Sequence, residues 1–147
     1  MTISLGSDHA GFAYKEAIKA MLSADGHTVI DVGTTSEDSV DYPDYGHAAA
    51  ELVRTGQAQI GVLVCGSGIG ISIAANKVHG IRAANCTSTT MAQLARQHND
   101  ANMVAVGQRL VSEEEALSIV RAFLETPFEG GRHQRRVDKI EQSGDAS

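Results

Sequence analysis

The chain has 147 residues, 42% of them hydrophobic, and 12 Lys and Arg stand against 18 Asp and Glu for a formal net charge of −6. That length suits one domain with a sizeable core. The acidic balance argues against a nucleic-acid binder, whose phosphate contacts need surplus Lys and Arg, and no apolar run is long enough to span a membrane. Two cysteines do not make a disulfide framework. The opening "MTISLGSDH" lacks the basic and long apolar segments of a secretory signal. A reducing, cytoplasmic setting is the expectation.

Short apolar runs alternate with helical patterns along the chain. "ISLGSD" reads as a strand ending near Ser7. "GFAYKEAIKAMLSADG" places Ile18 and Leu22 four apart, with Gly26 to stop a helix. "TVIDVG" is a second strand. "DYPDYGHAAAELVRTG" is a helix framed by an Asp-x-Pro start and Gly56. "IGVLVC" is nearly continuous in apolar residues, as a strand covered on both faces should be. A glycine loop then opens a short helix from about 70 to 77. "IRAANC" is a fourth strand, "TTMAQLARQHN" a fourth helix and "NMVAVG" a fifth strand. "SEEEALSIVRAFLE" carries a capping box, Ser112 with Glu115 three residues on. A "TPFEGG" turn precedes a last amphipathic, basic helix, and the polar tail from about 141 to 147 is expected to fray.

These elements predict one α/β domain over 1–147. It is a three-layer αβα sandwich, Rossmann-like, with a five-stranded parallel sheet, right-handed crossovers and a C-terminal helical arm. Such sheets bind ligands beyond the carboxyl ends of their strands, near the switch in strand order. The rule selects Ser7-Asp8-His9, the segment from Gly33, the loop 65–70, Cys86-Thr87 and Gly107-Gln108-Arg109.

The loop is built on Gly66, Gly68 and Gly70. This is not the Gly-x-Gly-x-x-Gly of dinucleotide sites, and Asn85 and Cys86 stand where a ribose-binding acid should end the next strand. No Gly-Lys-Ser/Thr follows, so it is not a P-loop either. What remains is a run of bare amides before a helix start, which favours negative charge, either a phosphate or a developing oxyanion. The plainer alternative is a tight turn that permits close helix–sheet packing. Cys65 is either a small buried residue or a base, since a helix amino terminus stabilises a thiolate. Cys86 has no glycine cradle and reads as core.

Among the other polar candidates, Asp8 and His9 can act together, one orienting the other, or Asp8 can simply cap a helix. His98 and Asn99 close the fourth helix, where a histidine also complements the helix dipole. His27, His47 and His79 read as surface. Metal-ligand spacings such as His-x-x-x-His or Cys-x-x-Cys are missing from the sequence. A metal held by Asp8, His9 and His98 would need them to meet in space, and no metal or cofactor is expected. In "GGRHQRRVDKI", Arg132 and Arg136 are four apart on one helical face, and Val137 and Ile140 share another. That pattern reads as a docked arm presenting guanidinium groups to an anion, or else as a solvated basic face.

Seven motifs taken together resemble the family of type B ribose-5-phosphate isomerases, which also holds the galactose-6-phosphate isomerase subunits. They are "GSDHAG" at 6–11, "DYPDY" at 41–45, "CGSGIGISIAANK" at 65–77, "GIRAA" at 80–84, "RQHNDANM" at 96–103, "GQR" at 107–109 and "GGRHQRRV" at 130–137. The resemblance implies an aldose–ketose isomerase acting on a phosphorylated sugar without cofactor. It implies Cys65 as the base that moves a proton between C1 and C2. Gly66, Ser67, Gly68 and Gly70 match the loop whose amides hold the enediolate oxygen. His98, with Asp8, matches the group that opens the sugar ring; Asn99 and Tyr42 match sugar contacts. His9, Arg109, Arg132 and Arg136 match the phosphate binders. Members without the cysteine use a glutamate further along the loop, where this chain has Ile71. The family's homodimers or homotetramers share each site between subunits. Ribose 5-phosphate is the substrate implied first, with allose, galactose or tetrose phosphates as alternatives. From the residues alone, a non-catalytic anion-binding module and a metal-assisted hydrolase on Asp8, His9 and His98 also stay open.

Overall fold

The computed structural model describes residues 1–142. Five strands, β1 (Thr2–Ser7), β2 (Thr28–Asp31), β3 (Ile60–Cys65), β4 (Ala83–Asn85) and β5 (Met103–Gly107), form one parallel sheet in the order β2-β1-β3-β5-β4. Side chains alternate across a strand, and this divides the core in two. Val62 and Val64 of β3, with Val104 and Val106 of β5, face α1 (Phe12–Ala24), α4 (Thr89–Asn99) and α5 (Glu113–Glu125), where Ile18, Leu22, Ile119 and Phe123 meet them. Leu63, Cys65, Met103 and Ala105 point the other way. They meet Ala49 and Ala50 of α2 (Tyr42–Arg54) and Ile71 and Ala75 of α3 (Ile69–Asn76). Each fully buried Val, Ile or Phe contributes about 1.5–3 kcal/mol by leaving water. The three-layer α/β sandwich is the one expected.

Local details follow the same chemistry. The Ser112–Glu115 capping box forms as the sequence predicts, with both reciprocal bonds present. α3 begins at Ile69, one residue before the expected start. The last helix, α6 (Arg132–Gln142), docks on α4 through buried His133 and Val137. Ile140, expected to share the apolar stripe with Val137, is 49% exposed, and His133 takes the buried position one turn before Val137. The expected fraying is corrected at Glu141 and Gln142. Both are helical, and Glu141 accepts a 2.6 Å bond from Arg82. Residues 143–147 of that expected tail lie outside the described residues.

One buried charge went unanticipated. Lys15 is only 1% exposed, and its Nζ reaches Asp31 at 2.8 Å and Glu16 at 2.9 Å, tying α1 to the end of β2. Burial works against both charges. The bonds from Lys15, the Gly33 amide and Lys19 nonetheless hold the Asp31 carboxyl below its ordinary range, and the bonds to Asp31 and Glu16 hold the Lys15 ammonium above its own.

From β1 the chain passes to β2 on one side, then returns to β3 on the other. The switch point therefore opens between the carboxyl ends of β1 and β3. Among the described residues no helix is long and apolar enough to cross a membrane.

Candidate active site

At that switch point lies a cleft of about 540 Å³, lined by Asp8, His9, Tyr42, Cys65, Gly66, Ser67, Gly70 and Arg109 among others. β1 delivers Asp8 and His9, β3 delivers Cys65, and Arg109 follows β5. Cys65 is 4% exposed, and its Sγ accepts the Gly68 amide at 3.1 Å. The Ile69 amide is taken by Ser67 Oγ at 3.1 Å. The amides of Gly66, Ser67 and Gly70 find no acceptor among the described residues. Helix starts leave such donors unpaired, so the thiol sits beside a small cluster of available N–H groups.

Two glycines make this geometry possible. Gly68 holds φ +77°, and a Cβ there would collide with Asn85 Oδ1 and stand 3.0 Å from the Val106 carbonyl carbon. At Gly70 a Cβ would stand 2.7 Å from the Tyr42 ring, so only glycine lets that ring lie against the loop. Asn85 supports the turn from beneath, its Nδ2 donating to the Ser67 carbonyl at 3.4 Å. Ile71 is fully buried in the α2–α3 core, so the loop offers no carboxylate there.

Asp8 and His9 do not pair. Asp8 caps the short 3₁₀ turn His9–Gly11, accepting the Gly11 amide at 3.1 Å. The expectation that one orients the other is corrected: the Val40 amide donates to His9 Nδ1 at 3.1 Å. A neutral ring that accepts at Nδ1 carries its proton on Nε2, so His9 is a donor to the cleft. Adjacent residues leaving a strand diverge, which is why the side-by-side spacing misled.

The remaining candidates lie elsewhere. α4 runs antiparallel to the strands, so His98 and Asn99 at its end sit at the amino edge of the sheet. Cys65 pairs in register with Gly107 at the carboxyl edge, while β5 starts at Met103. Four residues of rise separate the edges by about 13 Å at ~3.3 Å per residue, beyond what His98 and Cys65 side chains bridge. Arg132 and Arg136, at the start of α6, belong to this same edge. They are exposed and make no ion pair or hydrogen bond with a described residue. The trio of Asp8, His9 and His98 therefore does not assemble within one chain. His98 instead stacks on His133, ring centroids 4.4 Å apart and planes 12° apart. Glu129 Oε1 lies 3.9 Å from His98 Nε2 and 3.5 Å from His133 Nε2. Arg82 donates to the Asn99 and Asp100 carbonyls, and Arg96 to those of Ala101 and Thr126, which fixes the end of α4.

Sequence reasoning missed His133, Glu129 and Asn85. The Glu129–His133 spacing of four was the available signal for the first two. Cys86 is buried against the opposite face, and burial pushes its thiol up to about 11, as a core cysteine should behave.

A sequence model described as Ribose/Galactose Isomerase matches residues 3–140. Ribose-5-phosphate isomerase B of Escherichia coli is 51% identical over 138 residues, covering 94% of this chain and 93% of that protein. The solved ribose-5-phosphate isomerase B of Clostridium thermocellum superposes with a TM-score of 0.97 at 51% identity, covering 98% of this chain and 97% of the other. That of Mycoplasma genitalium, solved with bound ribulose-5-phosphate, gives a TM-score of 0.94 at 40% identity over 99% and 97% of the two chains.

Proposed function

The chain belongs to the ribose/galactose isomerase family, and from that premise we propose that it interconverts D-ribose 5-phosphate and D-ribulose 5-phosphate. The observation that carries the mechanism is the Cys65 thiol, seated at a helix start beside the available Gly66, Ser67 and Gly70 amides. The thiolate is the form of cysteine that takes a proton, and the Gly68 amide donates to this sulfur. His98, with Asp8, opens the sugar ring by proton transfer. Cys65 removes the proton from C2 of the open aldose. Charge then builds on the carbonyl oxygen, where preorganised amides act most strongly. The proton returns to C1 while the C2 hydroxyl gives up its own proton and O1 gains one, giving the ketose. The redox change is internal to the sugar, so no external oxidant, cofactor or metal enters the balance.

The phosphate is held by His9 and Arg109 from one side and by Arg132 and Arg136 from the other. Arginine's fork suits phosphate oxygens, and this remote binding positions the reacting carbons. Tyr42 and Asn99 contact the sugar. The division of these groups between two sheet edges supports a homodimer, or a homotetramer of such dimers, in which one copy brings its His98, Asn99, Arg132 and Arg136 to the other's cleft. Tyr42, Ile69 and Leu110 line that cleft and, with Ile73 one turn beyond Ile69, are 41–57% exposed, an apolar rim that a second copy would cover. The reducing cytoplasm is the setting that keeps Cys65 a free thiol.

Proton NMR of purified protein with D-ribose 5-phosphate and a chelator in D₂O tests this. Ketose carrying deuterium at C1, in full or in part, is the expected result. No turnover of ribose, allose, galactose or tetrose phosphates would overturn the isomerase and favour an anion-binding module.

A further inference from the structure

Ring opening needs a His98 nitrogen held at the sugar oxygen in a fixed direction. A half-exposed imidazole on the last turn of a helix turns about two side-chain torsions, and each turn moves that nitrogen. His98 is such a residue, its side chain 41% exposed. Its ring is nonetheless held. His133 lies against one face, ring centroids 4.4 Å apart and planes 12° apart. Both rings turn their Nε2 edges to one carboxylate oxygen, Glu129 Oε1, which stands 3.9 Å from His98 and 3.5 Å from His133. The stack sets the plane of the His98 ring, and the shared carboxylate sets which edge lies on which side.

We propose that His133 is a positioning residue for ring opening, a flat platform that holds His98 at the angle at which it meets the sugar. The inference rests on the role proposed for His98. The platform is itself fixed. His133 is 7% exposed, lies where α6 docks on α4, and donates its amide to the Gly130 carbonyl at 3.1 Å. The Glu129 amide donates to the Gln97 carbonyl at 3.1 Å, which ties the segment before α6 to the residue preceding His98. Burial at this position, one turn before Val137, asks only for an apolar side chain; a parallel stack asks for a flat ring.

The two directions of the reaction separate positioning from mere support. Ribose 5-phosphate is a closed furanose and must be opened. Ribulose 5-phosphate is acyclic, because its 5-oxygen carries the phosphate and its C4 hydroxyl would close only a four-membered ring on C2. Initial rates are therefore measured from each sugar for the unaltered chain and for His98→Ala, His133→Leu and His133→Phe. Leucine suits a buried position but has no flat face; phenylalanine restores the face. For His133→Leu, kcat from ribose 5-phosphate should fall about 10- to 100-fold, while kcat from ribulose 5-phosphate stays within about twofold and reports in the same sample that the chain is folded. His133→Phe should recover at least about a third of the unaltered rate. A purely structural role would shift α6 and with it Arg132 and Arg136, so both sugars would suffer alike. Equal losses in the two directions, no loss in either, or a His133→Phe chain no faster than His133→Leu overturns the proposal. A His98→Ala chain slowed equally from both sugars overturns the role of His98, and this proposal with it, while the isomerase stands. An unaltered chain that converts neither sugar overturns the isomerase itself.

Discussion

The two edges of the sheet present their polar groups in opposite ways. At the carboxyl edge the polar groups are enclosed: a 4% exposed thiol, a glycine turn and a histidine fixed by a backbone amide. At the amino edge they are presented outward: Arg132 and Arg136 lie on the surface, and His98 stands at the rim over His133. A closed set of groups suits proton transfer, which needs fixed geometry and little water. An open set suits docking onto something else. The two cysteines repeat the contrast on a smaller scale. Both end or follow strands, but Cys65 faces amides, whereas Cys86 is held by apolar neighbours that push its thiol to about 11.

Cys65 is the base in the proposed reaction, so for Cys65→Ala steady-state kinetics should show kcat falling by at least about 10²–10⁴-fold with little change in KM. Near-normal turnover would erase the contrast between the cysteines. Asp31→Asn leaves Lys15 buried without its principal partner and should cost about 3–5 kcal/mol in urea unfolding. The sign with pH is fixed by the lowered Asp31 carboxyl. Its stabilisation is complete above the ordinary carboxylate range and disappears as pH falls through the folded-state value, so the variant should lose less than the unaltered chain on acidification. Arg132→Ala and Arg136→Ala should each raise KM by about 10–100-fold, the scale of a charged hydrogen bond, with kcat less affected. An unchanged KM would remove phosphate binding from the amino edge. Cys86→Ala is the mildest change, with kcat within about twofold and a stability loss of about 1 kcal/mol.

Much of this was legible in the residues. The nearly continuous apolar runs "IGVLVC" and "NMVAVG" and the helical spacings between strands fix the sandwich, because a strand covered on both faces has no polar face to show. The glycine loop was legible as well, since spacing alone separated it from nucleotide motifs. The His98–His133 stack was not, because it depends on how α6 docks against α4, a contact between segments more than thirty residues apart. Glu129 stayed hidden for the same reason. Asp8 and His9 misled because adjacency in sequence suggested a pair that strand geometry then separates. Lys15 was unreadable: its burial depends on Asp31 arriving from the neighbouring strand.

The central claim is that each active site joins the carboxyl edge of one copy to the amino edge of another. Mixing Cys65→Ala with His98→Ala protein, each inactive alone, under conditions that let subunits exchange tests it most directly. In a two-fold dimer half the particles become mixed, and each holds one site with both residues intact, so about a quarter of the unaltered activity should return. No recovery despite demonstrated exchange would place Cys65 and His98 in the same chain's site, or in none, and contradict the account.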